Sequence, residues 1–347
     1  MNAVLTRAAA CAAALLLMPS PAAPQTAAAH KIIFDTDFVI PPQDDAFALM
    51  LALKSPEIQI LGITTVAGND SMERATSDAL RVLEIANRTD IPVYRGANMP
   101  LLHEKTDFAA SVHGRWWSDE DPPAPPGGFA KKKAEQGSAM DFIIRTVNAN
   151  PGEVTIVAIG PLTNVAMALR QEPGLAKRIK RLVVMGGAFA SLPDGAGNVT
   201  PNAEFNIWVD PEAARIALRA GIPTQLTPLN VTRKTRFSRE WYEKIVAAKT
   251  PLTELVRERL AARFERDPNG GGQMYDQLAV AALIDPSLVT SVDLYVDVDA
   301  NRGPSYGTTV GGRQPWGGGE GAQQMAVQHD VDFPRFINMF VERVTRK

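Results

Sequence analysis

The stretch Ile32–Ala48, IIFDTDFVIPPQDDAFA, most constrains what this chain can become. Its apolar opening, Ile32-Ile33-Phe34, predicts a buried strand ending in Asp35-Thr36-Asp37. A short loop with Pro41-Pro42 leads to Asp44-Asp45, and the apolar segment Ala46–Leu53 predicts a helix. Four carboxylates therefore fall between positions 35 and 45, at the carboxyl end of a strand and the amino end of the next helix. In open α/β sheets ligands bind along that edge. Asp44 and Asp45 have a simpler reading as helix caps, a role worth ~1 kcal/mol. Four carboxylates held together, however, cannot all stay ionised without a compensating cation. A hard divalent ion bound by oxygens is the simplest compensation.

The 347 residues are 45% hydrophobic and 21% charged, an ordinary globular composition with material for a large core. A formal net charge of −2 provides no basic field to attract nucleic acid. Residues 1–29 have the pattern of a secretory signal peptide. Arg7 precedes an apolar run, Ala8–Met18, that is too short to span a bilayer, and small-residue cleavage sites follow near Ala23 or Ala29. The expected organisation is a leader over 1–29 and a single domain over 30–347, periplasmic or secreted, with no membrane span in the mature protein. The sole cysteine, Cys11, lies in the leader, so the mature chain would have no disulfide.

Strand-like runs at Ile58–Val66, Ile91–Tyr94, Val154–Ile159, Arg181–Met185 and Pro223–Pro228 alternate with helical periodicities at Ser71–Asn87, Ser138–Asn148, a segment ending near Leu169, and one opening at Asp210-Pro211. Ser238–Lys249 and Leu252–Arg266 predict surface helices, and Gln277–Ile284 an apolar one. Val289–Val298, a Gly-rich Gly311–Gly321 and Met325–Gln328 suggest a small β region before a final helix at Pro334–Val344. Met99–Phe129, with His103, His113, Gly114, Trp116 and Trp117, predicts a long loop, either a lid or a stacking surface. Alternating strands and helices predict an α/β fold: an open, mostly parallel Rossmann-like sheet flanked by helices. Asp35, Asp37, Asn69, Ile159 and Gly187 then fall at or just after strand ends on one shared edge.

Around this edge run motifs that closely resemble the inosine/uridine-type nucleoside hydrolases: DTD…DDA (35–37, 44–46), VAGN (66–69), GPLTNVA (160–166), MGG (185–187) and GNVTPNAEFNIWVDPEAA (197–214). The resemblance runs in family order from Lys31 to the final helix. It implies hydrolysis of the N-glycosidic bond of ribonucleosides to ribose and free base, a bound Ca²⁺, and a homo-oligomer, dimer or tetramer. By position it implies that Asp37, Asp45 and Asp276 hold the ion together with the backbone carbonyl of Ile159. Asp44, Asn69, Asn198, Glu204 and Asn206 would bind the ribose hydroxyls, and Asp37, rather than Asp35, would be the general base acting on a calcium-bound water. The chemistry is consistent, because Ca²⁺ takes six to eight oxygens, and carboxylate and amide oxygens stabilise an oxocarbenium-like transition state.

Two departures from the family pattern stand out. Phe38–Gln43 lengthens the gap between DTD and DD, and Tyr275 occupies the position before Asp276 where many members carry His. Leaving-group activation then falls to Tyr275, to His113 or to the base itself, with Trp116, Trp117 or Trp208 as candidate base-stacking partners. Two other readings fit parts of the chain. Ile32–Ile40 also matches the opening of haloacid-dehalogenase-like phosphohydrolases, but leaves GNVTPNAEFN unexplained. A non-catalytic exported nucleoside- or sugar-binding protein on the same fold would account for both departures.

Overall fold

The computed structural model describes residues 29–41, 44–113 and 121–347. The leader expected over 1–29 (all but Ala29), Pro42-Gln43, Gly114, Trp116 and Trp117 lie outside the described residues, as does the side chain of His113.

The chain opens with β1 (His30–Thr36), α1 (Asp45–Leu53), β2 (Ile58–Thr65), α2 (Met72–Ile85), β3 (Val93–Arg95), α3 (Asp107–His113) and α4 (Ala139–Ala149). It continues with β4 (Val154–Ala158), α5 (Thr163–Gln171), β5 (Arg181–Met185), α6 (Phe205–Val209), α7 (Pro211–Leu218), β6 (Thr224–Thr227) and α8 (Leu229–Thr232). The last part holds α9 (Arg239–Val246), α10 (Pro251–Arg266), α11 (Tyr275–Ile284), β7 (Val289–Val298), β8 (Thr309–Gly312), β9 (Gln323–Val331) and α12 (Phe333–Val344).

One nine-stranded sheet orders these strands β3-β2-β1-β4-β5-β6-β9-β7-β8. The first seven positions are parallel, and β7 and β8 run antiparallel at one edge. The open, mostly parallel architecture expected from the alternation is thus present. The expected small β region at the end of the chain is β7, β8 and β9, and it joins the main sheet: β9 pairs with β6 through Gln225↔Ala326 and Leu226↔Val327. An unpaired β6 edge would leave its backbone donors and acceptors open. The segment 99–129, expected to be a loop, carries α3, too short for a clear periodicity. α6 is likewise a short helix within the GNVTP…DPEAA stretch.

The chain leaves β1 toward β2 and β3 on one side, then returns to β4 on the other. The carboxyl ends of β1 and β4 therefore flank a topological switch point, where such sheets open a crevice. Two helices start beside it. α1 and α11 are apolar around most of their circumference, and both are buried from their aspartates, Asp45 and Asp276, onward. Helices of that kind belong inside a protein, and they pack on each other within the core cluster that also takes in α12, α9 and α10. A second cluster under α4, α5 and α7 fills the opposite face of the sheet.

The described part of the lengthened loop, Phe38–Pro41, is tied into the core. Phe38 and Ile40 are fully buried in the core, the Ile40 N–H donates to Asp78 Oδ2 on α2 (3.1 Å), and Arg259 Nε on α10 donates to the Pro41 carbonyl (2.9 Å). Burial of these two large apolar side chains, at about 1.5–3 kcal/mol each, anchors Phe38–Pro41 in the core. Among the described residues, no helix is long and apolar enough to cross a membrane.

Candidate functional site

A cleft of about 190 Å³ at the switch point is lined by Asp44, Asn69, Ile159, Met185, Asn198, Glu204, Phe205, Asn206, Tyr275 and Asp276. Eight of these are candidate residues from the sequence. Met185 and Phe205 are additions, carried by the MGG and EFN motifs, whose apolar members gave no chemical signal.

Asp37 and Asp45 sit deeper, both essentially without solvent exposure. Asp37 Oδ2 accepts from the Asn69 N–H (2.7 Å), while its Oδ1 has no hydrogen-bond partner among the described residues. Glycines make room for this side chain. A Cβ on Gly68 would lie 2.2 Å from Asp37 Oδ2, and one on Gly160 would lie 2.7 Å from its backbone nitrogen. The glycines of VAGN and GPLTN thus form the two walls of a cradle that a methyl group would fill. Asp45 accepts from Thr36 Oγ1 (2.6 Å) at one oxygen and from Asn69 Nδ2 (3.0 Å) at the other.

The capping reading of Asp44 is corrected by the geometry. Asp44 stands at the N-cap of α1 but its side chain caps nothing there. Its Oδ2 instead accepts from the Asp276 N–H (3.1 Å), in the first turn of α11. The carboxylate is therefore held between two helix amino termini, whose dipoles partly offset negative charge. Asp44, placed by the resemblance among the ribose ligands, also forms a cluster with Asp45 and Asp276. One oxygen of each lies within 4.8 Å of the others. Asp35 is buried away from the cleft. Its Oδ1 accepts from Thr64 Oγ1 (2.5 Å) and Asn164 Nδ2 (2.8 Å), which ties β1 to β2 and α5.

Glu204 is the N-cap of α6. One oxygen accepts from Asn206 N (2.9 Å), the other from Gly187 N (3.0 Å) and Ile207 N (3.1 Å). Asn206 Nδ2 donates to the carbonyls of Ile159 (3.0 Å) and Met185 (3.1 Å), fixing the amide with its Oδ1 left as an acceptor. The Ile159 carbonyl, the expected backbone ligand, is thus at the cleft and keeps a second lone pair. The Tyr275 hydroxyl donates to Gln273 Oε1 (3.2 Å). Trp208 does not face a base. It is buried, with the His103 ring edge-on at 4.5 Å and Phe108 at 5.8 Å, because α6 turns it into a small apolar cluster.

Electrostatics sharpen this arrangement. Burial, then the Asp45 charge, push Asp37 well above the usual carboxylate range. Burial, then Asp44, push Asp45 up to about 7. Asp276 is raised by burial and then by Asp44, Asp45 and Asp37. Burial lifts Asp35 to about 6 against the pull of Thr64 and Asn164. The charges acting most strongly on Asp37, Asp45 and Asp276 are one another's and that of Asp44, not a lysine or arginine. Uncompensated buried carboxylates are costly. The unpartnered Asp37 oxygen, the three converging carboxylates and the Ile159 carbonyl form an all-oxygen donor set that fits a hard divalent cation.

The comparisons agree with this geometry. Residues 32–338 match the inosine-uridine preferring nucleoside hydrolase family. The pyrimidine-specific ribonucleoside hydrolase RihB of Escherichia coli is 38% identical over 288 residues, covering 81% of this chain and 87% of that protein. A solved plant nucleoside hydrolase superposes with a TM-score of 0.77 at 32% identity, covering 92% of this chain and 99% of that one. The purine-preferring ribonucleoside hydrolase of Gardnerella vaginalis superposes with a TM-score of 0.75 at 32% identity, covering 91% and 98%. With the acidic cleft at the switch point and a family match across almost all of the described chain, the protein belongs to the inosine-uridine preferring nucleoside hydrolases, enzymes that cleave the N-glycosidic bond of ribonucleosides.

Proposed function

We propose that this enzyme uses Ca²⁺ and Asp37 to hydrolyse ribonucleosides to ribose and free base. The observation that carries the reading is the cleft's stack of sugar-sized polar groups above two buried aspartates, one with an unpartnered oxygen. Asp37, Asp45, Asp276 and the Ile159 carbonyl are the residues we assign to the ion. When bound, Ca²⁺ compensates their charge and acidifies and orients the attacking water.

Asp37 receives the water's proton as general base. Its cradle between Gly68 and Gly160 removes rotational freedom that would cost rate. The oxygen of the water bonds to the anomeric carbon, the C–N bond breaks, and its electron pair leaves with the base. Asp44, Asn69, Asn198, Glu204 and Asn206 bind the ribose. Asn69 spends one amide N–H on Asp45, and Asn206 spends its amide N–H groups on backbone carbonyls. Glu204 holds three N–H groups. The cleft therefore offers the sugar mainly acceptor oxygens, which bind hydroxyl donors and stabilise positive charge developing on the ring.

Burial and the Asp44 charge push the Tyr275 phenol up to about 12, so it stays protonated, and its hydroxyl turns from Gln273 Oε1 to donate to the departing base. Relatives named for pyrimidines and for purines each cover most of this chain. We assign the choice of base to the cleft mouth around Tyr275. The leader pattern supports export, and the resemblance supports a homo-oligomer. Reducing-sugar release from inosine, uridine, adenosine and cytidine, with Ca²⁺ and then with a chelator, tests the reading. Ca²⁺-dependent release is expected. A protein that binds the four nucleosides and leaves them intact would overturn it in favour of a binding protein.

A further inference from the structure

The connection between β5 and α6 carries Asn198 to the cleft mouth, where the residue is exposed. The loop turns on itself there: the Val199 amide donates to the Ala203 carbonyl (3.2 Å) and the Ala203 amide to Thr200 Oγ1 (3.0 Å). Its Gly197 and Asn198 amides donate to the carbonyls of Pro201 (2.8 Å) and Ala203 (3.1 Å), and Asp194 adopts a positive φ of 59°. Gly197 has no room for a side chain, since a Cβ would lie 2.2 Å from the Thr200 carbonyl.

The outside support comes from α8, a single buried turn after β6. Asn230 is fully buried. Its Oδ1 accepts from the Phe189 N–H (2.9 Å) and its Nδ2 donates to the carbonyls of Phe189 (3.1 Å) and Pro193 (2.7 Å). Arg233, the residue that closes α8, donates from Nη1 to the Asp194 carbonyl (2.5 Å) and from Nη2 to the Gly197 carbonyl (2.9 Å). The two side chains thus grip the loop in succession, at 189–193 and then at 194–197. The planar guanidinium suits this second grip, because its N–H groups point in fixed directions. Its target ends one residue before Asn198.

We propose that Arg233 is a positioning residue that sets Asn198 against the ribose of the substrate, with Asn230 as the fixed end of the same clamp. The inference rests on the nucleoside hydrolase reading of the cleft. Both guanidinium bonds go to loop carbonyls, so Arg233 acts through the loop.

The test is a double-mutant cycle of Arg233→Ala and Asn198→Ala, with Arg233→Lys as the conservative variant, scored by kcat/KM on the best nucleoside. Arg233→Ala is expected to lower kcat/KM by about 10- to 100-fold, the scale of a small misplacement of a binding group. In the Asn198→Ala background the same change should cost less than about 2-fold, the non-additivity of residues that act as one unit. Arg233→Lys should recover part of the loss. Equal losses in both backgrounds, or none in either, would overturn the proposal. Hydrogen exchange decides the clamp independently of turnover. The Gly197 and Asn198 amides should exchange faster in Arg233→Ala while those of β5 do not change, and unchanged exchange at 197–198 would refute it. A wild-type enzyme inert on every nucleoside would sink the functional reading, with the exchange result still deciding the clamp.

Discussion

At the residue scale, Asp37 shows how local chemistry depends on neighbours that have no chemistry of their own. Its reach toward the cleft exists because residues 68 and 160 lack a Cβ. Gly68→Ala should therefore weaken Ca²⁺ binding and lower kcat together, by about 10- to 100-fold each. Calorimetric titration with Ca²⁺ beside initial-rate kinetics checks this. Asp37→Asn keeps the shape and removes the proposed base, so kcat should fall by about 10²- to 10⁴-fold, the usual worth of a general base. Near-normal turnover in that variant would remove Asp37 from the mechanism. Tyr275→Phe loses a donor to the leaving base. Its penalty should be several-fold larger on natural nucleosides than on p-nitrophenyl riboside, whose leaving group needs no such help. Equal penalties on both would place Tyr275 outside leaving-group activation.

At the scale of elements, the helix amino termini do more than end helices. Asp44 leaves its own helix α1 uncapped and serves α11 instead, which joins the two apolar helices at the point where the site forms. Asp210 links elements in the same way. Its Oδ1 caps α7 through the Ala213 N–H (3.1 Å), and its Oδ2 accepts from Thr163 Oγ1 on α5 (2.7 Å) and the Leu101 N–H (2.9 Å). Asp210→Ala should cost about 1–3 kcal/mol, from the lost cap and the two donors left unpaired. Urea unfolding would measure it. Asp210-Pro211 was readable as a cap in the sequence. The trans-capping by Asp44 was not, because its partner lies 232 residues away.

For the whole molecule, the cation and the fold are coupled through pH. Without a cation, burial pushes Asp35 up to about 6 and Asp45 up to about 7, and it raises Asp37 and Asp276 as well. In the unfolded chain these groups titrate near ~3.9. Between those values the native state holds protons that the unfolded chain has released, so stability falls as pH rises. The Tm of the chelated protein should accordingly drop from about pH 4 to pH 7. Ca²⁺ should raise Tm most at the upper end, because binding requires the ionised carboxylates. A melting series at four pH values, with Ca²⁺ and with chelator, checks both signs. A Tm that is flat with pH in chelator would show that the aspartates are not buried together.

The sequence by itself determined the alternation that makes a parallel sheet, the strand-end positions of Asp37, Asn69 and Ile159, and the motifs that mark the family. Each of these depends on residues close together in the chain, where periodicity and turn chemistry are local. Only the tertiary structure decided that β9 completes the main sheet, that Phe38 and Ile40 sink the lengthened loop into the core, that α6 turns Trp208 inward, and that α8 grips the Asn198 loop. Those outcomes depend on which distant backbone groups and apolar surfaces need partners, and that need arises only once the chain has packed.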